Sequence, residues 1–575
     1  MSTARAASLV TPTLTLALLL TACSLTGGHP AGHPAGDPPD LADIPAIDIN
    51  ANDRSHTRQG GTLNWAIAHW GGQFQAHHTQ GNLAGQAHIL GALLPRAHTF
   101  DAQGTPAPNT AYVERTTLSH DGTRLTYHLN PAATWSTGQP ITWNDYRATA
   151  ELLSTPTPGD FATGGARQGY DRIDRILPGH DDYEFTLVFS EPYSEWPRLF
   201  EFVYPARYMS DADAFNHGYR DRIPVTAGPF KVDHIDPAAK TLTLVRDNTW
   251  WGTPAKLDRI VFHTMDRAAM PGAFLNGEID TFYLGHNASA YERVHGHEGT
   301  HVTRAIDNGY RMIQLNAASP ALADIDVRRA ITYGIDRSVL ADISLRPIDW
   351  PGDPTVNRLI RSSQPHFHDN SGDYGHQDLD KARRLLRRAG WRATKGTDYR
   401  HNVHGDELSL RYLIPAGPAI TEHEATAVQH MLAEIGVKIE IETVPLDAYL
   451  NDHLQRGDFA LTSLSLTGTT PYAGSYHTVY GGPFGHDDSG APHWADNHAH
   501  LSSAQINDTF RRMAAETTPK LYYDLANTID RALWDQATSI PFLQRPGTWA
   551  VRDDLANFGA FGLASIDYAD IAYLH

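Results

Sequence analysis

The sequence predicts a mixed α/β protein, and two observations carry that prediction. Segments of period-two alternation, such as "GTLNWAIA" (61–68) and "TRLTYHLN" (123–130), are interleaved with segments of helical period. The stretch "EATAVQHMLAEIGVKIEIETV" (424–444) then reads as a helix, a turn at Gly436 and a strand in immediate succession, the alternation on which α/β folds are built. With 575 residues, 41% of them hydrophobic, the chain has material for a large core and more than one domain.

Along the chain, the first segment reads as an address rather than part of a fold. Arg5, the apolar run "LTLALLLTA" (14–22) and Cys23 followed by Ser24 form a charged region, a short hydrophobic region and a small-residue processing site. The run is too short to be a stable membrane span. Leu20-Thr21-Ala22-Cys23 resembles a bacterial lipobox, so residues 1–22 are expected to be a lipoprotein signal peptide and Cys23 the lipidated first residue of the mature protein. Because it is the single cysteine, intramolecular disulfides and Cys-based zinc sites are excluded. Residues 23–59 are rich in Gly, Pro, Ala and Asp and repeat "GHPA", a composition that cannot bury enough apolar area to fold. A flexible tether is expected there, with His29 and His33 as spacer residues.

From Gly60 onward the chain reads as globular. The strand at 61–68 opens it, and the Asp121-Gly122 turn bounds the strand at 123–130. Thr226-Ala227-Gly228-Pro229-Phe230 sets a tight turn into a strand, and Asn248, Trp250, Trp251 and Gly252 follow the next strand as a turn with aromatic cover. Asp324 to Arg337 is expected to be one capped helix with Val327, Ala330, Ile331, Gly334 and Ile335 as its buried stripe. In "DKARRLLRRAGW" (380–391), Ala382, Leu385, Leu386 and Ala389 share a helical face, Asp378 or Asp380 is the candidate N-cap, and Gly390 is the stop. Its basic residues form the solvated face.

Charge removes one class of partner. The 46 basic and 65 acidic residues give a net charge of −19, spread along the chain, whereas nucleic-acid binding needs a basic surface. The 12 Trp, 24 Tyr and 19 Phe exceed what a core requires, so some are expected to line a binding surface.

His297-Glu298-Gly299-Thr300-His301 matches the zinc-peptidase pattern H-E-x-x-H, which works only on a helix, where both histidines share a face. Gly296, Gly299 and the β-branched Thr300, Val302 and Thr303 disfavour a helix. No glutamate lies between Val302 and Glu407 to serve as third ligand, and 32 histidines in the chain make chance matches easy. The segment is expected to be a loop leading into a strand, with no catalytic residue, bound metal or cofactor.

Several blocks occurring in order carry a resemblance: "GGTLNWAI", "LSHDGTRLTYHLNPAATWSTGQPITWNDYRATAELL", "VTAGPFKVDHIDPAAKTLTLVRDNTWWGTPAKLDRIVF", "FLNGEID", "IQLNAASPALADIDVRRAITYGIDRSVL", "DLDKARRLLRRAGW", "IGVKIEIETVPLDAYL" and "SIPFLQR". Together they resemble the family 5 extracytoplasmic solute-binding proteins, the oligopeptide, dipeptide and nickel binders of ABC importers, over nearly everything after the tether. The resemblance implies a two-lobed, hinged, periplasmic-binding-protein-like (class II) fold with an extra inserted subdomain. Lobe I would comprise about 60–99, 206–315 and 531–575, the insertion about 100–205, and lobe II about 316–530. It also implies a monomeric receptor, held outside the cell membrane by its lipid, that closes on a solute and presents it to the permease and its ATPase.

For peptide binders, the resemblance implies an extended peptide held as an added strand, with roomy wet pockets for its side chains. Members of this kind commonly carry "GW-x-x-D" after the "GDF" strand, the aspartate pairing with the peptide's α-amino group. Here Leu466 stands at the tryptophan and Thr469 about at the aspartate; the family's "DG" after the aromatic strand is likewise Thr137-Gly138. A threonine supplies no charge-assisted partner. Either another carboxylate anchors the amine, or the ligand is longer, blocked or not a peptide. By position, the candidate ligand-binding residues are His69, Trp70 and Phe74 after the first strand, Asn316 at the crossing into the second lobe, and Thr467, Thr469 and Tyr472 on the anchor segment. A metal chelate or haem is the alternative solute, prompted by His366, His368, His376, His493, His498 and His500.

Overall fold

A single ten-stranded mixed sheet forms the spine of the protein. The computed structural model describes residues 41–575 except 82, 156–158, 165–168, 418, 469–470 and 487–489. From one edge the strands run Lys438–Val444, Ser409–Pro415, Leu461–Thr467, Thr300–Leu315, Ser539–Arg552, Thr281–Tyr283, Thr62–Ile67, Arg259–Thr264, Thr241–Arg246 and Phe230–Asp236. The first three are mutually parallel, as are Thr281–Tyr283, Thr62–Ile67 and Arg259–Thr264. Two long antiparallel strands, Thr300–Leu315 and Ser539–Arg552, join these halves. A separate antiparallel sheet of four strands, in the order Val113–Leu118, Arg124–Leu129, Glu184–Phe189 and Ile173–Pro178, shares a hydrophobic core with the residues around Thr62–Ile67. A second core is built mainly from residues between Ile306 and Leu543, among them Leu315, Val327, Leu386, Tyr412 and Val428.

The helices form where their apolar spacing and caps dictate. In Leu379–Arg388, Asp378 accepts from the Lys381 N–H at 2.7 Å and Ala382, Leu385 and Leu386 are buried. Burying each leucine contributes roughly 1.5–3 kcal/mol. The chain leaves this helix through Gly390 at φ +90°, a conformation that only glycine adopts without strain. Helix Ala419–Ala433, the Gly436 turn (φ +79°) and Lys438–Val444 follow as the sequence predicts.

Two expectations fail. The helix predicted from Asp324 to Arg337 is two helices, Ile325–Gly334 and Arg337–Leu345, broken at the extended Ile335. Asp336 is not near a helix end by chance: its carboxylate caps the second helix through the Ser338 N–H at 3.0 Å. Residues 41–59 are also no tether. Ile44 enters the second core, Asp48 pairs with Ala560 and accepts the Arg304 N–H at 2.8 Å, and Arg54 pairs with Asp570 at 2.8 Å. The rest of the expected tether, and Cys23, lie outside the described residues.

Candidate functional site

The site grows from an irregularity in strand Thr300–Leu315. Its pairing with Ser539–Arg552 is regular to Ile306 opposite Pro546 and resumes at Tyr310 opposite Gln544, so three residues face one. Such a bulge re-aims side chains. It turns Asp307 and Asn308 toward a cavity of about 240 Å³. The rest of its lining comes from Ala87, His88 and the segments Arg96 to Phe100, Pro197 to Glu201 and Gly562 to Tyr568, together with Gly468 and Pro471. Gly468 passes so near the bulge that a Cβ there would come within 2.6 Å of the Asn308 side chain, which explains its residue type.

The charged groups of the cavity divide into satisfied and unsatisfied. Asp307 accepts from Tyr283 OH at 3.0 Å and from the Asn308 N–H at 2.7 Å. Arg198 donates to Glu195 Oε2 at 2.8 Å. Arg96 and Glu201, in contrast, make no hydrogen bond or ion pair among the described residues. Glu201 is exposed to solvent among the residues that line the cavity; the protein packed around its carboxyl raises it above the usual range, with Arg96 and then Arg198 opposing. His88 and His98 are pushed down to about 4, chiefly by burial, so both are neutral at physiological pH. The residue before Glu201 is in an uncommon conformation: Phe200 has φ +62° with its ring fully buried. For a bulky residue this costs of order 1–3 kcal/mol, and it places the ring in the core while the next side chain meets the cavity.

Beside the cavity, a second polar cluster joins segments far apart in sequence. Glu195, 2% exposed, accepts on Oε1 from the Gly474 N–H at 2.7 Å and Tyr522 OH at 2.5 Å, and on Oε2 from Arg198. The neighbouring Ser194 donates its N–H to Ala514 O at 2.8 Å and its hydroxyl to Met513 O at 3.0 Å.

The residues proposed from sequence scatter. Phe74 is buried in the first core at 1% exposure, His69 is exposed and Trp70 packs half-buried against that core; none of the three lines the cavity. Asn316 is 1% exposed and spends its amide on Gly457 O (2.7 Å) and Phe459 O (3.0 Å), fixing the turn after the long strand. The anchor segment does reach the cavity, through Gly468 and Pro471; Thr467 ends its strand there, Thr469 lies outside the described residues, and the Tyr472 ring stands edge-on to Phe100 and Tyr522. Arg96, Glu201, Asp307 and Asn308 escaped sequence reasoning. For Glu201 a signal existed, a lone acid inside the apolar run Leu199-Phe200-Glu201-Phe202-Val203.

The H-E-x-x-H letters fall as expected from the glycines. Helix Ala288–Val294 ends before them, Gly296 and Gly299 have φ of +72° and +75°, and His301 already lies in the long strand, 3.1 Å from Asp553. The two histidines share no helical face. Of the other histidines, His366 stacks on Tyr523 and His500 on Trp494.

Comparison with known proteins agrees with this architecture. Residues 107–486 match the family model described as bacterial extracellular solute-binding proteins, family 5 Middle. The oligopeptide-binding protein OppA of Mycobacterium tuberculosis is 31% identical over 99% of this chain and 93% of its own. Among solved structures, the periplasmic EDTA-binding protein EppA superposes with a TM-score of 0.80 at 21% identity, over 92% of this chain and 99% of that one. The oligopeptide-binding protein AppA of Bacillus subtilis, in complex with a nonapeptide, gives 0.70 at 16% identity over 90% and 100%. The chain belongs to the family 5 bacterial extracellular solute-binding proteins.

Proposed function

We propose that this protein captures oligopeptides outside the cell membrane by closing two lobes around them, and hands them to the permease of an ABC importer. The observation that carries this reading is the cavity at the bulge of the joining strand, walled by residues from both halves of the sheet. The extent of the similarity to an oligopeptide-binding protein supports peptide as the solute. In this reading the lobes divide near 315 and 531, with 100–205 as the insertion, and strands Thr300–Leu315 and Ser539–Arg552 carry the hinge. Closure then converts solute binding into a shape that the permease can recognise. Native mass spectrometry of protein purified without denaturation is expected to show a distribution of masses above the bare chain that resolves, on release, into peptides. A single metal chelate or lipid species in its place would sink the assignment.

Anchoring is proposed to run through Cys23. No helix among the described residues is long and apolar enough to cross a membrane, and the lipobox-like Leu20-Thr21-Ala22-Cys23 offers an alternative hold, which needs a second signal beside one acyl chain to be stable. Cys23→Ala is expected to abolish labelling by a fatty-acid probe and to move the protein from the membrane fraction to the soluble one. Retention of label and of membrane fractionation would rule the anchor out.

A further inference from the structure

We propose that the basic face formed by helix Leu379–Arg388 and the hairpin after it docks this protein on an anionic lipid surface. The inference goes beyond peptide capture, and it concerns the face that lies on the membrane rather than the anchor that holds the chain there.

The charge distribution singles this face out. Residues 381–400 hold 8 of the 46 basic residues of the chain and one of its 65 acids, Asp398, although the chain as a whole carries −19. Burial of Ala382, Leu385 and Leu386 leaves Arg384, Arg387 and Arg388 exposed. Beyond Gly390 the chain forms the short hairpin Arg392–Ala393 with Arg400–His401, which adds the exposed Arg392 and Lys395.

Acidic neighbours answer only part of this charge. Arg383 pairs with Asp380 at 3.1 Å, Lys381 with Asp373 at 3.1 Å, and Arg388 with Asp326. The side chains of Arg384, Arg387, Arg392 and Lys395 make no hydrogen bond or ion pair among the described residues. Arg400 adds a buried cation behind them: it donates to the carbonyls of Ile435 at 2.6 Å and Trp391 at 3.2 Å, and its pKa is lowered, chiefly by burial and then by the charges of Arg387 and Arg383. Arg383 and Arg387, like Arg384 and Arg388, are four residues apart, a spacing at which like charges destabilise a helix. The helix dipole accounts for cations in the last turn, Arg387 and Arg388, but not for Arg384 or for the hairpin. Folding therefore gains little from the cluster, and an anionic partner would.

The place where the chain enters the fold favours lipid as that partner. Leu41, the first described residue, packs against the same core that Leu379, Ala389 and Trp391 of the basic segment cover. Cys23 lies 18 residues before it, a span of at most about 60 Å at roughly 3.3–3.6 Å per residue, so a membrane that holds Cys23 is within reach of this face. Val403, 77% exposed just past the hairpin, offers an apolar side chain to the headgroup layer. At physiological salt, charges are screened over about 8 Å, so a surface lying against the patch meets its cations rather than the net charge of the whole chain.

The test is co-flotation of the chain from Ser24 onward, which lacks Cys23 and keeps every described residue, with vesicles of phosphatidylcholine alone or of equal parts phosphatidylcholine and phosphatidylglycerol. The wild type is expected to bind the mixed vesicles at least about tenfold more tightly than the neutral ones, and to lose the difference at high salt, since each basic residue near an anionic surface contributes a factor of about five. The triple variant Arg384→Glu, Arg387→Glu, Arg392→Glu should abolish the preference. The same reversals at Arg115, Arg124 and Arg175, exposed residues of the four-stranded sheet, alter the net charge equally and should change it less than about threefold. Circular dichroism checks that both variants fold. Peptide capture and lipidation are read by their own assays, so the failure of either leaves this result standing. A wild type with no preference for the mixed vesicles, or an equal loss in the two triple variants, overturns the proposal. If the wild type ignores both vesicles and the Arg384, Arg387 and Arg392 reversals alone lower peptide uptake by cells, the face belongs to the permease instead, and lipid docking falls.

Discussion

Asp530→Ala is expected to cost about 3–5 kcal/mol of folding stability, several times the effect of breaking a solvent-exposed ion pair. Asp530 and Arg358 are both 0% exposed and meet at 2.9 Å. Each also has the further hydrogen bonds that a buried ion needs. Asn370 donates to Asp530 Oδ2 at 3.1 Å; Arg358 gives its Nε to Ser539 Oγ at 3.0 Å and its Nη2 to Ser539 O at 2.7 Å, and lies 4.1 Å from the Trp534 ring centroid. Ser539 opens one of the two joining strands, so the pair fastens helix Pro519–Gln536 and the loop at 357–361 to the spine of the sheet. Removing the carboxylate leaves Arg358 buried without a counter-charge. It also leaves Arg337 nearby, whose pKa is already lowered to about 10, mainly by burial and then by the charge of Arg358. The double variant Arg358→Met with Asp530→Leu should recover most of the loss, because two apolar groups leave no stranded charge. Urea denaturation followed by tryptophan fluorescence measures both. A single-variant loss below about 1 kcal/mol, or a double variant no better than the single, contradicts this account.

How much of this was legible in the sequence depended on whether the cause was local. Helix Leu379–Arg388 was readable because cap, stripe and glycine stop all lie within its own dozen residues. The same holds for the glycine-broken segment at His297 to His301. The break at Ile335 had a local signal as well, Asp336 two residues before Ser338, but the run of apolar spacing through Ile335 masked it. At 41–59 the error came from averaging composition: the Pro- and Gly-rich stretch before it hid Ile44 and Asp48, and the partners of Asp48, Ala560 and Arg304, lie hundreds of residues away. The site failed for the same reason. Phe74 follows the first strand and looks available, but tertiary packing buries it, whereas Arg96, Glu201 and Asp307 meet only because a bulge and a left-handed backbone residue turn them to one cavity. The resemblance located the anchor segment, which borders the cavity through Gly468 and Pro471.

The second large effect is expected at Glu195, in binding rather than folding. Its carboxylate joins Arg198 to Gly474 and Tyr522, and Ser194 adds two bonds to the end of helix Ala504–Ala515. If those segments belong to different lobes, the bonds exist only when the protein is closed, and part of the apparent affinity for solute comes from them. Tyr522 is a dependable donor, since burial and then the Glu195 charge hold its pKa well above the ordinary value. Glu195→Gln replaces one acceptor oxygen by an NH2 group set against either the Gly474 N–H or the Arg198 guanidinium, and it removes the negative charge that faces Arg198. Peptide binding should weaken by about 2–5 kcal/mol, the range for breaking a hydrogen-bonded buried pair, while the stability of the peptide-free protein changes little. Tyr522→Phe removes one bond to a charged acceptor and should cost about 1.5–3 kcal/mol in the same assay. Calorimetry gives the affinities, and small-angle X-ray scattering with and without peptide shows whether the variants still contract. Should Glu195→Gln destabilise the peptide-free protein and bind peptide as the wild type does, the cluster is present before closure and holds the fold rather than the trap.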